Sequence, residues 1–259
     1  MAKSGKVKVY HLMVLDESGS MDQVRDTTIN GVNEQIKTIQ NSADEFRDTQ
    51  EHLVSLVTFS GQVNEPVLWK EPSDRLEMLT RNNYHPGGTT ALRDAIWSSI
   101  RRLTSEVKRE FENRQATVCV TIFTDGEENA SHMCNEEQVA DLVKKSEESG
   151  QWTIAFVGAG GKEVFDVAKK LNIRAANTMN YTASRDGFSD AFATMATSRA
   201  LYSKSVHDAY SAPAASSTGG DPLATMRSVG FFKNVDLSGS DPIDPKKSMD
   251  PLKDADLNK

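Results

Sequence analysis

The chain has 259 residues, a mass of 28.5 kDa and a net charge of -7, with 37% hydrophobic and 26% charged residues. No apolar run approaches the roughly 20 residues that cross a bilayer, which argues against a membrane protein. Nucleic-acid affinity needs clustered Lys and Arg; here these residues are scattered, so we expect no nucleic-acid partner. The N-terminal segment MAKSGKVKVY leads into an apolar run too short for a signal peptide, and we therefore expect a cytoplasmic location.

Short apolar runs alternate with longer helical patterns up to about residue 204. Several of the short runs are nearly continuous in Val, Ile, Leu and Phe, as is typical of strands buried on both faces of a parallel sheet. The predicted strands are 7–15, 53–59, 63–69, 117–123 and 152–157, with a weaker one at 178–181. The predicted helices are 24–39, 91–111, 136–149, 162–171 and 188–204.

This alternation predicts an α/β fold of the Rossmann-like kind, with a doubly wound, mostly parallel sheet and helices on both of its faces. The region 53–69 breaks the alternation, because Ser60 and Gly61 join two strand patterns as a hairpin turn would. We therefore expect one antiparallel strand at an edge of the sheet.

The composition changes near the end of the chain. We predict one folded domain at residues 1–204 and a disordered, low-complexity tail at 205–259, because segments such as SAPAASSTGGDP bury too little apolar surface to offset chain entropy. One segment of the tail, MRSVGFFKNVDL, contains the adjacent aromatics Phe231 and Phe232. Two interpretations stay open for it: docking on the domain or on a partner, or a solvated patch.

Polar side chains cluster after two predicted strands and before one predicted helix. Asp16, Ser18 and Ser20 follow the first strand in DESGS, and Asp125 follows the strand 117–123. The segment HPGGTTALRDAI contains Thr90 immediately before the helix 91–111. In doubly wound sheets, ligands bind outside the carboxyl ends of the strands, so these side chains are expected to converge.

The chemistry of these side chains indicates a cation site. They offer carboxylate and hydroxyl oxygens without Cys or His, a ligand set that suits Mg²⁺ or Mn²⁺ better than Zn²⁺ or copper. Ca²⁺ fits less well, because it usually takes more carboxylates. Glu127 and Glu128 lie beside Asp125 and are interpreted as a solvated acidic turn.

The three motifs together resemble the von Willebrand factor A domain and its metal-ion-dependent adhesion site. The resemblance rests on Asp-x-Ser-x-Ser after the first strand, Gly-x-Thr-x-Leu before a helix and Thr-Asp-Gly-Glu after a later strand, and it covers residues 6–203. The wording of LDESGSM, GGTTALRDAI, TDGEENAS and GQWTIAFVGAGG is most similar to compact, signal-less members of the family from bacteria and their phages.

The resemblance implies a ligand for each motif. The hydroxyls of Ser18 and Ser20 and one threonine hydroxyl would contact the metal ion directly, and Asp16 and Asp125 would act mainly through water. The family spacing selects Thr90 as the threonine, with Thr89 as its neighbour. The implied function is non-enzymatic, metal-dependent protein binding, in which an Asp or Glu of a partner protein completes the coordination.

Other functions compatible with parts of the pattern stay open. A magnesium-dependent phosphotransferase or phosphatase of the haloacid-dehalogenase type also places an Asp after its first strand, but the position two residues after Asp16 holds Ser18 where that family has a second acid. VGAGGKEV could suggest dinucleotide binding, although its glycine spacing fits a tight turn better. Within the binding class, the protein could serve an AAA-type ATPase in bacterial stress or phage-conflict systems.

Overall fold

The computed structural model describes residues 5–211, 221–233 and 235. Its strands are β1 (Val7–Asp16), β2 (Gln50–Phe59), β3 (Leu68–Pro72), β4 (Ala116–Thr124), β5 (Trp152–Ala159) and β6 (Thr178–Tyr181). They form one sheet in the order β3-β2-β1-β4-β5-β6. The pairs β1–β2, β1–β4, β4–β5 and β5–β6 are parallel, and β2–β3 is antiparallel. The predicted fold class, a mostly parallel sheet with one antiparallel strand at an edge, is confirmed.

Helices cover both faces of the sheet. They are α1 (Arg25–Glu45), α2 (Leu92–Glu106), α3 (Lys108–Glu112), α4 (Glu136–Glu148), α5 (Lys162–Lys170), α6 (Arg185–Ser211) and α7 (Pro222–Ser228). One hydrophobic cluster contains the apolar residues of α1 and α6, and a second contains those of α2, α4 and α5. No helix within the described ranges combines the length and the apolar composition needed to cross a membrane.

The predicted cation site lies where the strand order of the sheet reverses, between β1 and β4. The chain leaves β1 into α1 on one face of the sheet and leaves the neighbouring β4 towards α4 on the other face. The two connections therefore diverge and leave a crevice above the carboxyl ends of β1 and β4, where doubly wound proteins bind their ligands. All residues of β1 except Lys8 are buried, so this strand aims the loop after Asp16 from the middle of the core.

Several elements differ from their predicted bounds: α1 continues to Glu45 instead of residue 39, and β2 begins at Gln50 instead of residue 53. The antiparallel edge strand begins at Leu68 instead of residue 63. Before it, the hairpin is continued by an isolated bridge between Phe59 and Val63 and by single hydrogen bonds from the N–H groups of Asn64 and Val67 to β2. Pro66 explains the gap, because proline has no N–H to donate to a neighbouring strand. The predicted helix 91–111 is divided into α2 and α3 at Val107, whose dihedral angles (φ -112°, ψ 18°) leave the helical region.

The predicted boundary at residue 204 is wrong for part of the tail. Helix α6 continues to Ser211, and α7 lies within the segment predicted to be disordered. Phe231 and Phe232 are only 3% and 4% exposed and belong to the same hydrophobic cluster as α1 and α6. Of the two interpretations left open for these aromatics, docking on the domain is therefore correct.

Backbone hydrogen bonds hold the docked segment in place. The N–H of Phe231 donates to Oδ1 of Asn177 at 2.8 Å, and the N–H of Phe232 donates to the carbonyl of Ala176 at 3.1 Å. Local composition misled the prediction because the apolar surface that offsets the entropy cost is supplied by distant parts of the chain. Residues 212–220, 234 and 236–259 lie outside the described residues, and their predicted disorder stays a prediction.

A polar cluster with a buried arginine lies between α6 and the sheet. The guanidinium of Arg199 is fully buried and donates to Oε1 of Gln35 at 3.0 Å, to Oγ1 of Thr121 at 2.8 Å and to Nδ1 of His11 at 3.0 Å. Nε2 of His11 lies 2.9 Å from Nδ1 of His52. Among the described residues, no carboxylate forms an ion pair with Arg199, so neutral acceptors alone satisfy its charge.

The hydrogen bonds of Arg199 fix the protonation of both histidines. A guanidinium can only donate, so Nδ1 of His11 accepts, and the proton of His11 must sit on Nε2 and point to Nδ1 of His52. Burial, the charge of Arg199 and the neighbouring His52 hold the pKa of His11 well below its ordinary value of 6.5. Burial lowers the pKa of His52 to about 4. Both rings are therefore neutral in the folded protein.

We expect the free energy of unfolding to decrease as the pH falls from about 6.5 towards 4, by about 1.4 kcal/mol per pH unit for each histidine. The pKa of each ring is lower in the folded state, so the unfolded chain takes up protons first and is favoured by acid. Urea unfolding across this range measures the slope. His52→Gln should reduce the slope, because it removes one of the two groups that take up a proton on unfolding; a slope equal to that of the unaltered chain would contradict the assignment.

Candidate metal centre

The loop after β1 holds the carboxylate of Asp16 in a fixed orientation. Asp16 is fully buried, and its Oδ1 accepts a hydrogen bond from the N–H of Ser18 at 2.7 Å. Its Oδ2 accepts from the hydroxyl of Thr124, the last residue of β4, at 2.5 Å. The carboxylate thereby joins the ends of the two central strands directly.

Ser18, Ser20 and Asp125 form a chain of hydrogen bonds between the same two loops. The hydroxyl oxygens of Ser18 and Ser20 are 3.1 Å apart. The hydroxyl of Ser20 donates to Oδ1 of Asp125 at 2.7 Å. The sequence predicted that these three side chains would meet, and the fold brings them together although Ser20 and Asp125 are 105 positions apart.

The hydroxyl of Thr90 lies on the same side of the site. A Cβ built on Gly126 would lie 2.9 Å from Oγ1 of Thr90 and 3.4 Å from Oδ2 of Asp16, so both oxygens border the space that this glycine leaves open. The backbone of Thr90 is clasped by Asn129, whose Oδ1 accepts from the Thr90 N–H at 2.8 Å and whose N–H donates to the Thr90 carbonyl at 3.0 Å.

The neighbouring Thr89 faces elsewhere. Its Oγ1 would lie 2.8 Å from a Cβ built on Gly61, in the turn after β2. Thr89 is exposed, whereas Thr90 is 3% exposed. Thr90, the threonine that the resemblance selects, is therefore the one whose hydroxyl borders the same space as the carboxylate of Asp16.

The carboxylate of Asp16 is removed from water, and that of Asp125 is partly removed from it. Burial raises the pKa of Asp16, against the hydrogen bonds from Thr124 and Ser18, and the charge of Asp125 adds to the rise. Burial also raises the pKa of Asp125, against its hydrogen bond from Ser20. Two such carboxylates repel each other when both are ionised, and a cation beside them would remove that cost.

The donor atoms suit a hard divalent cation. Carboxylate and hydroxyl oxygens from three loops surround the space beside Gly126, a ligand set that Mg²⁺ and Mn²⁺ accept. Within the part of the chain that the structure describes, no three His, Cys, Asp or Glu side chains are placed to hold a metal together. An ion here would consequently depend on the hydroxyls, and the residues present fit it.

Glu17 organises the site, and sequence reasoning missed it. Its carboxylate accepts from the side-chain amide of Asn64 at 2.8 Å and from the N–H of His85. Its carbonyl accepts from the N–H of Gly87 at 2.8 Å. Glu17 thus ties the loop after β1 to the turn after β2 and to the loop that carries the threonines. Its position beside Asp16 is the only signal in the sequence, and it does not identify these partners.

Glu128 is a structural acid, so its interpretation as part of a solvated turn is wrong. Its carboxylate accepts from the N–H groups of Arg93, Ala130 and Ser131 at 2.8, 3.0 and 2.8 Å, which places it at the N-terminus of α2. Burial raises its pKa, but these hydrogen bonds outweigh burial and the pKa is lowered overall. Glu127 is exposed, as expected.

Comparisons with known proteins agree with this architecture. The family model of the von Willebrand factor type A domain matches residues 12–195. The comparison with curated proteins finds no match. Among solved structures, the pilus adhesin SpaC from Lactobacillus rhamnosus GG is 12% identical with a TM-score of 0.55, and the match covers 76% of this chain and 31% of that one.

Two further solved structures are similar at lower scores. A von Willebrand factor type A protein from Catenulispora acidiphila is 16% identical over 75% of this chain and 43% of that chain, with a TM-score of 0.44. Proximal thread matrix protein 1 from the mussel byssus, with a zinc-occupied adhesion motif, is 16% identical over 76% and 46%, with a TM-score of 0.48. The chain spans less than half of the length of all three proteins, and at these identities the likeness concerns the fold alone.

Proposed function

We propose that this chain, which belongs to the von Willebrand factor type A family, is a metal-dependent protein-binding module and not an enzyme. In this proposal Ser18, Ser20 and Thr90 hold Mg²⁺ or Mn²⁺ through their hydroxyls, and Asp16 and Asp125 hold it mainly through water. The bound ion would supply positive charge and an open coordination position to an Asp or Glu carboxylate of a partner protein.

The observation that carries the proposal is the convergence of five oxygen-bearing side chains from three loops at the reversal point of the sheet. Neutral hydroxyls in the direct contacts would leave much of the ion's positive charge unneutralised. A partner carboxylate would then be attracted more strongly than a neutral group. The rest of the chain supplies the fixed loops: Glu17 and Asn129 hold the backbone on which the ligands sit.

The geometry favours binding over phosphotransfer. A phosphotransferase of the haloacid-dehalogenase type needs a second acid near Asp16, and the acid beside it, Glu17, already accepts hydrogen bonds from Asn64 and His85. Family members are generally interaction modules, in line with a non-enzymatic role. The comparisons give no support for an AAA-type ATPase as the partner, so the partner is proposed by its chemistry alone. A cytoplasmic location stays a prediction.

Selection of random peptides displayed on phage, with the full chain immobilised, tests the proposal. We expect peptides with an Asp or Glu to be enriched in Mg²⁺ and lost in EDTA, because the carboxylate would complete the coordination of the ion. The same chain should not hydrolyse p-nitrophenyl phosphate. Enrichment that is indifferent to EDTA, or phosphate release that Asp16→Asn abolishes, would refute the proposal.

A further inference from the structure

A groove opens directly beside the candidate metal centre. It has a cavity volume of about 660 Å³ and runs from Asp125 and Gly126 across the start of α2 to α5. We call it the α5 groove. Buried apolar side chains form its base: Leu92, Phe156, Val164 and Leu171. Its volume lies in the range of clefts that accommodate side chains or small ligands.

The lining of the α5 groove is strongly acidic. Its acidic residues are Asp125, Glu127, Glu128, Glu136, Glu163 and Asp166, against the two cations Arg93 and Lys170. Arg93 is already engaged, because its Nε lies 3.7 Å from Oε2 of Glu128. Glu127, Glu136, Glu163 and Asp166 are exposed and form no ion pair within the described residues. These four exposed acids face one cation without a partner in the groove, Lys170, so the groove presents a net negative charge next to a site proposed to attract a carboxylate.

This charge pattern limits what the groove can receive. The glycine-rich turn before α5, which the sequence raised as a possible dinucleotide site, faces these carboxylates, so a phosphate would be repelled. The acids are spread along the rim, and no three of them are placed to share a metal ion, as judged over the described residues. A flexible cationic side chain, which can reach several exposed carboxylates in turn, matches both facts.

We propose that the α5 groove receives a Lys or Arg of the same partner segment whose Asp or Glu reaches the metal centre. This inference rests on the proposed function and makes it more specific, since the partner segment would carry an acidic and a basic residue side by side in space. The aliphatic stem of this Lys or Arg would lie on the apolar base of the groove, and its charged group would lie at the rim. Because the rim is exposed to solvent, added salt should weaken this contact.

The same phage selection tests the inference through a second readout. Among peptides enriched in Mg²⁺, we expect Lys or Arg at a constant spacing from the acidic residue. The charge-reversed chain Glu163→Lys with Asp166→Lys should bind a selected peptide about 10-fold more weakly, while keeping its stabilisation by Mg²⁺. The matched control is Asp44→Lys with Glu45→Lys, two exposed acids on α1 at the opposite face of the sheet, and it should bind as the unaltered chain does.

Each outcome of this experiment has a defined meaning. Acidic, Mg²⁺-dependent peptides without an enriched cation, bound equally by all three chains, would overturn the groove inference and leave the proposed function standing. Failure to enrich any Mg²⁺-dependent peptide would overturn both. Self-association of the chain that Glu163→Lys with Asp166→Lys abolishes, or displacement of the selected peptide by a synthetic peptide of residues 236–259, would show that the chain itself fills the groove. Either result would refute the partner assignment.

Discussion

Replacing Ser18 and Ser20 together with alanine should abolish the increase in melting temperature that Mg²⁺ or Mn²⁺ gives the unaltered chain. At a metal concentration about 100 times Kd, binding to the native state adds about 2.7 kcal/mol, equivalent to about 5–10 °C for a domain of this size. The two hydroxyls lie 3.1 Å apart, and Ser20 joins Asp125 at 2.7 Å, so the double change removes two proposed direct ligands at once. Thermal unfolding with added metal or with EDTA measures the effect.

The two adjacent threonines provide a matched control for the metal prediction. Thr90→Val should weaken the metal response, because its Oγ1 borders the space beside Gly126 and Asp16. Thr89→Val makes the same replacement of a hydroxyl by a methyl group, but at a side chain that faces Gly61. It should leave the metal response intact. A serine double variant that responds to metal as the unaltered chain does would show that the site has been assigned to the wrong residues.

Replacing Arg199 with alanine should lower the free energy of unfolding by about 3–5 kcal/mol, the largest loss of stability that we expect for a single change. The change leaves a cavity under α6. It also removes the N–H groups that donate to the buried acceptors Oε1 of Gln35, Oγ1 of Thr121 and Nδ1 of His11. A buried acceptor without a partner retains its desolvation cost. Urea unfolding at neutral pH measures the difference.

Two further variants separate the causes of this loss. Arg199→Met fills most of the cavity but supplies no donor, so it should recover part of the loss and leave the rest to the unpaired acceptors. Lys204→Ala, on an exposed part of the same helix, should change stability by about 0.5 kcal/mol or less. An Arg199→Ala chain as stable as the Lys204→Ala chain would mean that the buried cluster contributes nothing to folding.

The sequence determined the fold class and the candidate site because both depend on local patterns. A buried strand is recognisable from its continuous apolar residues, and Asp16, Ser18 and Ser20 stand out because they follow β1 directly. Parallel strands bring their carboxyl ends to one edge, so the meeting of these residues with Asp125 could be predicted without distances. Assigning the two loops to one site needed only the order of the motifs.

Only the tertiary structure decided which partner each polar or aromatic side chain has. The family spacing favours Thr90 over Thr89, but only the structure shows that the hydroxyl of Thr89 turns towards Gly61 and that of Thr90 towards Gly126. Phe231 lies in a segment of polar composition, and its burial depends on surface supplied from elsewhere in the chain. Which partner a side chain contacts depends on residues that are distant in sequence. An apolar pattern or a cluster of ligand-type residues, in contrast, is visible among residues adjacent in sequence.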